Sequence, residues 1–245
     1  VGQSGGPTAA INATLAGVIR GAKDAEKKGI ITKIYGMRNG IEGFLNENLI
    51  NLSEIFDGEG KLKTLEATPA AALGSCRRKL PAENDSKYKQ TFEKIIEIFK
   101  KYDIRYFFYI GGNDSMDTVS KLSTVCKHFD WEMNFVGVPK TIDNDLAVTD
   151  HTPGYGSAAK FIATVISEML CDTAVYTVKA VTIVEIMGRD AGWLTAASAL
   201  PSITGDGPDL IYLPEVTFDP EKFIDDVKVA TEKNPAVLVA ISEGI

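Results

Sequence analysis

One arrangement recurs along most of this chain and limits the folds open to it. A short β-branched or aromatic run is followed by a glycine or polar loop, then by a segment with apolar residues at helical spacing. GQSGGPTAAINATLAGVIRGAKDAEKKG is a glycine loop leading into an amphipathic helix that closes on Gly29, and KIYGM is a short strand. QTFEKIIEIFKKYD has the i, i+3, i+4 spacing of a helix, and IRYFFYI is a strand ending in Gly111 and Gly112. A helix from about Ser115 to Phe129 precedes the strand MNFVGV, which runs into PKTIDND. TPGYGSAAKFIATVISEMLCD is predicted helical, KAVTIVEI is a strand that discharges into MGRDAG, and WLTAASAL is a further helix. DLIYL, the helix PEKFIDDVKVATEK and the strand AVLVAI complete the pass. Strands that are apolar nearly throughout, alternating with helices, imply a parallel sheet covered on both faces. The boundary candidate is the loop TDHTPGYG, near residues 149–156, which divides the chain into 1–150 and 151–245.

With 245 residues, 44% hydrophobic and 24% charged, the chain can bury a sizeable core in one large domain or two smaller ones. Its formal net charge of −7 argues against a general nucleic-acid or anionic-membrane surface, so no nucleic acid and no membrane is expected as partner. An acidic protein can still hold phosphates through backbone N–H groups, a few placed basic residues or a metal ion. Cys76, Cys126 and Cys171 form no CxxC pair, and His128 and His151 complete no zinc pattern. Reduced thiols in a cytosolic protein are the expectation. No apolar run approaches the ~18 residues of a membrane span, and no secretory leader is expected. The opening VGQSGGP has hardly any strand before its glycines, and VLVAISEGI stops as a strand delivers an acid, so a partial chain is expected.

The unusual residues follow strands. Gly5 and Gly6, Asn113 and Asp114, Lys140 to Asp145, Met187 to Arg189, and Glu243 each come after an apolar run. In open α/β sheets the ligand crevice lies outside the carboxyl ends of the strands, so these five clusters are predicted to converge on one rim.

Each cluster has a chemical reading and a plainer one. GQSGGPTAAIN lacks the Gly-Lys-Ser/Thr ending of a P-loop, yet a glycine pair before a helix offers N–H groups to a phosphate at the positive end of the helix dipole. A plain tight turn has the same composition. In IGGNDSMDT, Asp114 or Ser115 could cap the next helix. A carboxylate facing a phosphate without a metal costs on the order of 4 kcal/mol at ~4 Å and an effective dielectric of ~20, so Asp114 either binds a cation or excludes a phosphate. In PKTIDND an aspartate can take a proton from an attacking hydroxyl. A lysine can stabilise charge on a transferring phosphoryl group, and a second aspartate can help hold magnesium. The plainer alternative is an Asx-rich turn with solvated charges. Arg189 in MGRDAG can reach a sugar hydroxyl or a phosphate, or form a surface ion pair. LGSCRRK, with Arg77, Arg78 and Lys79, is a compact basic cluster in an acidic chain.

Taken together, the order SGGPTAAIN, GSCRR, GGNDS, PKTIDND, MGR and a late strand-borne SEG resembles that of the phosphofructokinases over essentially the whole chain. The resemblance implies an α/β fold: two Rossmann-like three-layer domains with mostly parallel sheets and an active site in the cleft between them. Residues 1–150 would bind the phosphoryl donor, and 151–245 the sugar phosphate, incomplete at the C-terminus. It implies phosphoryl transfer to the 1-hydroxyl of fructose 6-phosphate, with Mg2+ as cofactor, by a cytoplasmic homo-oligomer, dimer or tetramer. Carried over by position, Asp143 resembles the catalytic base, with Thr141 and Asp145 positioning substrate and metal and Asn113 standing at a metal-contacting place. Met187, Gly188, Arg189 and Glu243 resemble sugar-phosphate contacts, and Gly5, Gly6 and Arg77 donor-phosphate contacts.

Asp114 stands where ATP-using members carry glycine, and Lys140 where many of them do. A carboxylate at 114 would occupy the place of a nucleotide's α-phosphate, and Lys140 can stabilise the leaving phosphate when no nucleotide is present. The pair resembles the pyrophosphate-dependent branch, which implies a reversible reaction with pyrophosphate as the donor. An ATP-dependent 6-phosphofructokinase and a non-catalytic regulatory subunit of the same fold are the alternatives. Lipid and nicotinamide-nucleotide kinases share a glycine-glycine-acid loop but lack PKTIDND followed by MGR. Two positions depart from the family pattern. Asn113 replaces an aspartate found in many members, and Lys179-Ala180 stand where bacterial ATP-using members bring an arginine to a neighbouring subunit.

Overall fold

A computed structural model of the chain describes residues 1–8, 10–129, 131–175 and 177–245. It divides into two compact units, Val1–Lys140 and Thr141–Ile245. The division thus falls inside PKTIDND rather than at the TDHTPGYG loop that the sequence suggests.

In the first unit, β1 (Gly2–Gln3), β2 (Tyr35–Met37), β3 (Leu49–Asn51), β4 (Tyr106–Gly111) and β5 (Asn134–Pro139) form a sheet of order β3-β2-β1-β4-β5 among the described residues. Neighbours are parallel except β3, which pairs antiparallel with β2. Side chains of β4 alternate between two cores, as the two-residue strand period requires. Phe107 and Tyr109 join Phe44, Phe99 and Leu122, contributed by α2 (Gly40–Leu45), α5 (Tyr88–Lys101) and α6 (Asn113–Cys126). Ile110 joins Leu15, Ile19, Leu62 and Leu65, from α1 (Ile11–Lys27) and α4 (Glu59–Ala67). This is the helix–sheet–helix layering expected from strands apolar on both faces.

Between KIYGM and QTFEKIIEIFKKYD the sequence pattern assigns no element. The structure has α2, β3, α3 (Leu52–Ile55) and α4 there, of 6, 3, 4 and 9 residues. Segments this short hold too few turns for periodicity to register.

Two buried carboxamides tie this region down. Gln3 on β1 and Asn12 on α1 are both 0% exposed. Gln3 Nε2–H donates to Asn12 Oδ1 (2.9 Å), and Gln3 Oε1 accepts from Leu73 N–H (2.8 Å). Asn12 Nδ2–H donates to the carbonyls of Thr68 and Ala70, each at 2.7 Å, while its Oδ1 also accepts from Ala72 N–H (2.9 Å). The chain from 68 to 73 is thereby held beside β1.

In the second unit, β6 (Ala180–Ile186), β7 (Leu210–Tyr212) and β8 (Ala236–Ser242) form a parallel sheet of order β6-β8-β7 among the described residues. Residues Ala236 to Ala240 of the central β8 are buried. α7 (Tyr155–Thr173) and α8 (Trp193–Ala197) close a small core in which Ile186, Leu194 and Ala240 meet Ile142, Tyr155 and Ile162. The helix predicted over 193–200 stops at Ala197 and continues as a 3-10 turn, Leu200–Ile203, because Pro201 has no N–H for an α-helical bond and disfavours helical geometry before it. α9 (Pro220–Lys233) starts where the sequence places it: Asp219 accepts N–H bonds from Glu221 and Lys222, and Pro220 occupies the first turn. No side chain of α9 is buried among the described residues, and alternate β6 residues, Val181 and Ile183, stay exposed. Among the described residues no helix is long and apolar enough to cross a membrane.

Replacing Asn12 with Ala removes four hydrogen bonds made by a buried carboxamide and is expected to cost about 1–3 kcal/mol, read from urea unfolding of wild type and variant. Thiol labelling checks the packing separately. Cys76 and Cys126 are buried, Cys171 is exposed, and burial pushes the Cys126 thiol up to about 11. At pH 8 a thiol of that acidity is roughly one part in a thousand thiolate, so Cys171 should react at once and the buried pair only upon unfolding.

Candidate active site

The five polar clusters predicted on one rim are distributed over the ends of two sheets. In the first unit, β1, β4 and β5 are parallel neighbours. Their carboxyl ends therefore deliver Ser4-Gly5-Gly6, Gly112-Asn113-Asp114 and Lys140 to one edge. Ser4 N–H donates to Ile110 O (2.9 Å) and Lys140 N–H to Gly111 O (2.9 Å), which continues the ladder into the loops. Gly5 has φ +74°, a left-handed conformation that glycine adopts without penalty. A Cβ placed on it would lie 3.6 Å from Lys140 Nζ and 3.7 Å from Gly112 N, so the three loops meet at this point.

The arginine loop is fastened to the same edge. Cys76 O accepts from Gly5 N–H (3.1 Å) and from the Ser4 hydroxyl (3.2 Å), and the Ser75 hydroxyl donates to Gly5 O. Below it, Tyr109 of β4 accepts from Ile41 N–H (3.0 Å), with Cys76 Sγ 3.8 Å from its hydroxyl; burial raises the Tyr109 pKa. Arg77, Arg78 and Lys79 are exposed, and Lys79 Nζ lies 3.0 Å from Asp114 Oδ1 in the first turn of α6. Asp114 thus has a cationic partner within the chain, which the sequence presents only as one of three basic residues. Asn113 is the exposed first residue of α6. Main-chain N–H groups, exposed guanidinium groups and a lysine at one sheet edge suit a multiply charged anion.

The second unit gathers the acids. β6 and β8 are parallel neighbours, so Met187-Gly188-Arg189 and Glu243 leave the sheet side by side. Glu243 N–H donates to Ile186 O (2.9 Å), and the Ser242 hydroxyl donates to Gly188 O. The two loops are pressed together: a Cβ on Gly244 would fall 1.9 Å from Arg189 O, a place only glycine can occupy. Met187 and Arg189 are exposed. The segment opening this unit is anchored by Ile142, packed on the Ile186–Leu194–Ala240 core, and by the Thr141 hydroxyl, which accepts from Asp143 N–H (3.0 Å).

Asp143 is partly buried, and its carboxyl is held above the usual aspartate range. Burial contributes most, the charges of Asp145 and Glu243 add to it, and the Thr141 hydroxyl and Arg189 pull the other way. A carboxylate made more basic by its surroundings, with a hydroxyl and a guanidinium beside it, is suited to taking a proton from a bound alcohol.

Two residues of this unit were not singled out from the sequence. Asn144 is buried between the two aspartates in φ +60° geometry. Glu215 accepts from Gly192 N–H (2.7 Å) at the start of α8, bracing the loop that carries Arg189. The signal for Glu215 was present, since it too comes after a strand, β7. For Asn144 the signal was its type, asparagine being among the few residues that enter left-handed geometry readily.

Comparison with known proteins gives the family. The pyrophosphate–fructose 6-phosphate 1-phosphotransferase of Xanthomonas campestris pv. campestris is 45% identical over 249 residues, covering 99% of this chain and 57% of the relative. Its namesake from Rhodospirillum rubrum is 43% identical, covering 100% and 57%. The solved pyrophosphate-dependent phosphofructokinase of Nitrosospira multiformis superposes with a TM-score of 0.79 at 41% identity, covering all of this chain and 60% of the other. The chain thus spans 57% of the length of these two curated relatives. The phosphofructokinase family profile matches residues 1–245, from the glycine loop through the arginine loop and PKTIDND to the last strand, and on that match the chain belongs to the phosphofructokinase family.

Proposed function

We propose that the protein carrying this chain transfers a phosphoryl group from pyrophosphate to the 1-hydroxyl of fructose 6-phosphate, giving fructose 1,6-bisphosphate and inorganic phosphate. The observation that carries this reading is Asp143, partly buried, kept basic by Asp145 and Glu243, with Thr141 and Arg189 beside it. In the proposed step Asp143 accepts the hydroxyl proton as the oxygen bonds to phosphorus. The bridging P–O bond of pyrophosphate breaks, and its electron pair leaves with inorganic phosphate. Lys140 offsets charge on that leaving group. Thr141, Met187, Gly188, Arg189 and Glu243 orient the sugar phosphate. Donor on the first unit and sugar phosphate on the second, as expected from the sequence, is part of this reading.

Gly5, Gly6, Arg77 and Asp114 are read as the donor side. Asp114 disfavours a nucleotide by its bulk and its charge. Because Lys79 neutralises part of that charge, bulk carries more of the discrimination than charge alone would suggest. The relatives from Xanthomonas campestris and Rhodospirillum rubrum are named for pyrophosphate, which supports it as the donor. Among the described residues no group of three His, Cys, Asp or Glu side chains could hold a metal ion by itself. Magnesium ordinarily takes one or two carboxylates, keeps several waters and shares phosphate oxygens, and the exposed carboxylate of Asp145 suits it; Asn113, on the first unit, would be a weaker amide ligand. Magnesium when bound neutralises phosphate charge. The reading also includes reversibility, a cytoplasmic location and a homo-oligomer, which sedimentation of the purified protein tests.

In the full-length protein, Asp143→Asn is expected to lower turnover by about 10²–10⁴-fold while the circular dichroism spectrum is retained. Near-normal turnover would overturn the assignment of the base. With fructose 6-phosphate and magnesium, product should form with pyrophosphate and not with ATP, and Asp114→Gly should raise use of ATP relative to pyrophosphate. Turnover with ATP alone would overturn the donor reading and leave the family intact.

A further inference from the structure

Past Ile142 and Thr141, which anchor its start, the segment to 151 runs as an irregular loop. Apart from a turn at Ala147–Val148 it has no helix or strand pairing of its own. Asp145 and the stretch from Ala147 to His151 are exposed. Val148 at its apex adopts φ +57°, a conformation that a β-branched residue takes only at a cost. Yet this segment carries Asp143, the proton acceptor of the proposed reaction, whose N–H donates to the Thr141 hydroxyl (3.0 Å).

Asn144 bridges that loop. Its side chain is buried, 8% exposed, and both ends of its carboxamide are used across the loop: Nδ2–H donates to Asp150 O (3.1 Å) and Oδ1 accepts from Thr152 N–H (2.8 Å). Its backbone stands at φ +60°, a left-handed conformation suited to a tight turn and populated by asparagine more readily than by most residues. One residue thus turns the chain between the two aspartates and clamps the start of the loop to its end. Few side chains combine a short stem, a donor and an acceptor, and tolerance of this backbone. Aspartate lacks the donor, glycine lacks both groups, and alanine lacks both and resists the backbone.

We propose that Asn144 is a positioning residue for phosphoryl transfer, holding Asp143 at the acceptor hydroxyl by closing the loop from 144 to 152. The proposal rests on the reading of Asp143 as the proton acceptor. Both ends of the Asn144 carboxamide are bonded within the loop, so in this proposal its contribution to rate passes through Asp143.

The test uses the full-length protein and three variants: Asn144→Gly, Asp143→Asn and the double substitution. Glycine keeps the backbone conformation and removes only the clamp. Asn144→Gly should lower kcat about 10²-fold, the cost of a small misplacement of a reacting group, with KM for pyrophosphate little changed. On top of Asp143→Asn it should add nothing, because residues that act through one another are not additive. A wild-type kcat in Asn144→Gly, or an equal loss in the Asp143→Asn background, would overturn the proposal, since a role in stability alone predicts independent losses. If Asp143→Asn itself turns over normally, the base reading has failed, which is a distinguishable result. Should Asn144→Gly not fold, Asn144→Asp, which keeps the acceptor for Thr152 N–H, carries the same comparison. An intermediate kcat that is silent in the Asp143→Asn background supports the clamp, and additivity overturns it.

Discussion

Parallel pairing of β1 with β4 and of β4 with β5 is the constraint on which the first unit's candidate site depends. Parallel neighbours end on the same side, so whatever the chain places after each strand is brought to one edge. β1 contributes only two residues to this ladder, and buried side-chain bonds secure its place. Gln3 on the strand and Asn12 on the helix bond to each other and to the chain at 68–73, which leads into the arginine loop. Buried amides are costly when unpartnered and specific when fully partnered, because each geometry that satisfies them is nearly unique. The glycine loop and the Cys76–Arg77 turn are therefore brought together through buried polar bonds and not by apolar packing alone.

The second unit applies the same strand-end rule with the opposite charge. Where the first edge offers N–H groups, arginines and Lys140, the second offers Asp143, Asp145 and Glu243 around a single arginine, Arg189. Burial and like charge work in the same direction on Asp143, raising its basicity, while Thr141 and Arg189 keep the shift in check.

Much of this was legible in the sequence because it depends on short-range pattern. The strands before Gly111, Pro139, Met187 and Glu243 read as apolar runs, and the helices at 90–103 and 220–233 read from spacing and, for the latter, from Asp219-Pro220 at its start. The stretch from 38 to 87 was illegible, since α2, β3, α3 and α4 are too short to show a period and are stabilised by contacts with α1 and the sheet. The α8 helix ends at Ala197, three residues before the end that the spacing predicts, because the proline at 201 restricts the turn before it as well as its own position.

What the amino-acid order determined by itself was the alternation of strands and helices, hence a mainly parallel arrangement, and which chemical groups stand at strand ends. Both come from periodicity and from the sterics of glycine and proline, which act within a few residues. Only the tertiary structure decided that the chain divides within PKTIDND, so that Lys140 closes one unit while Thr141 to Asp145 open the next. It also decided that Asp114 pairs with Lys79, that Asp143 is kept basic by burial and then by Asp145 and Glu243, and that Asn144 clamps its loop. Three of these four associations join residues six to a hundred positions apart, and the fourth, Asp143 with Asp145, draws its strength from the burial around it. Their energies depend on distance and on exclusion of water, quantities that packing sets and local sequence does not.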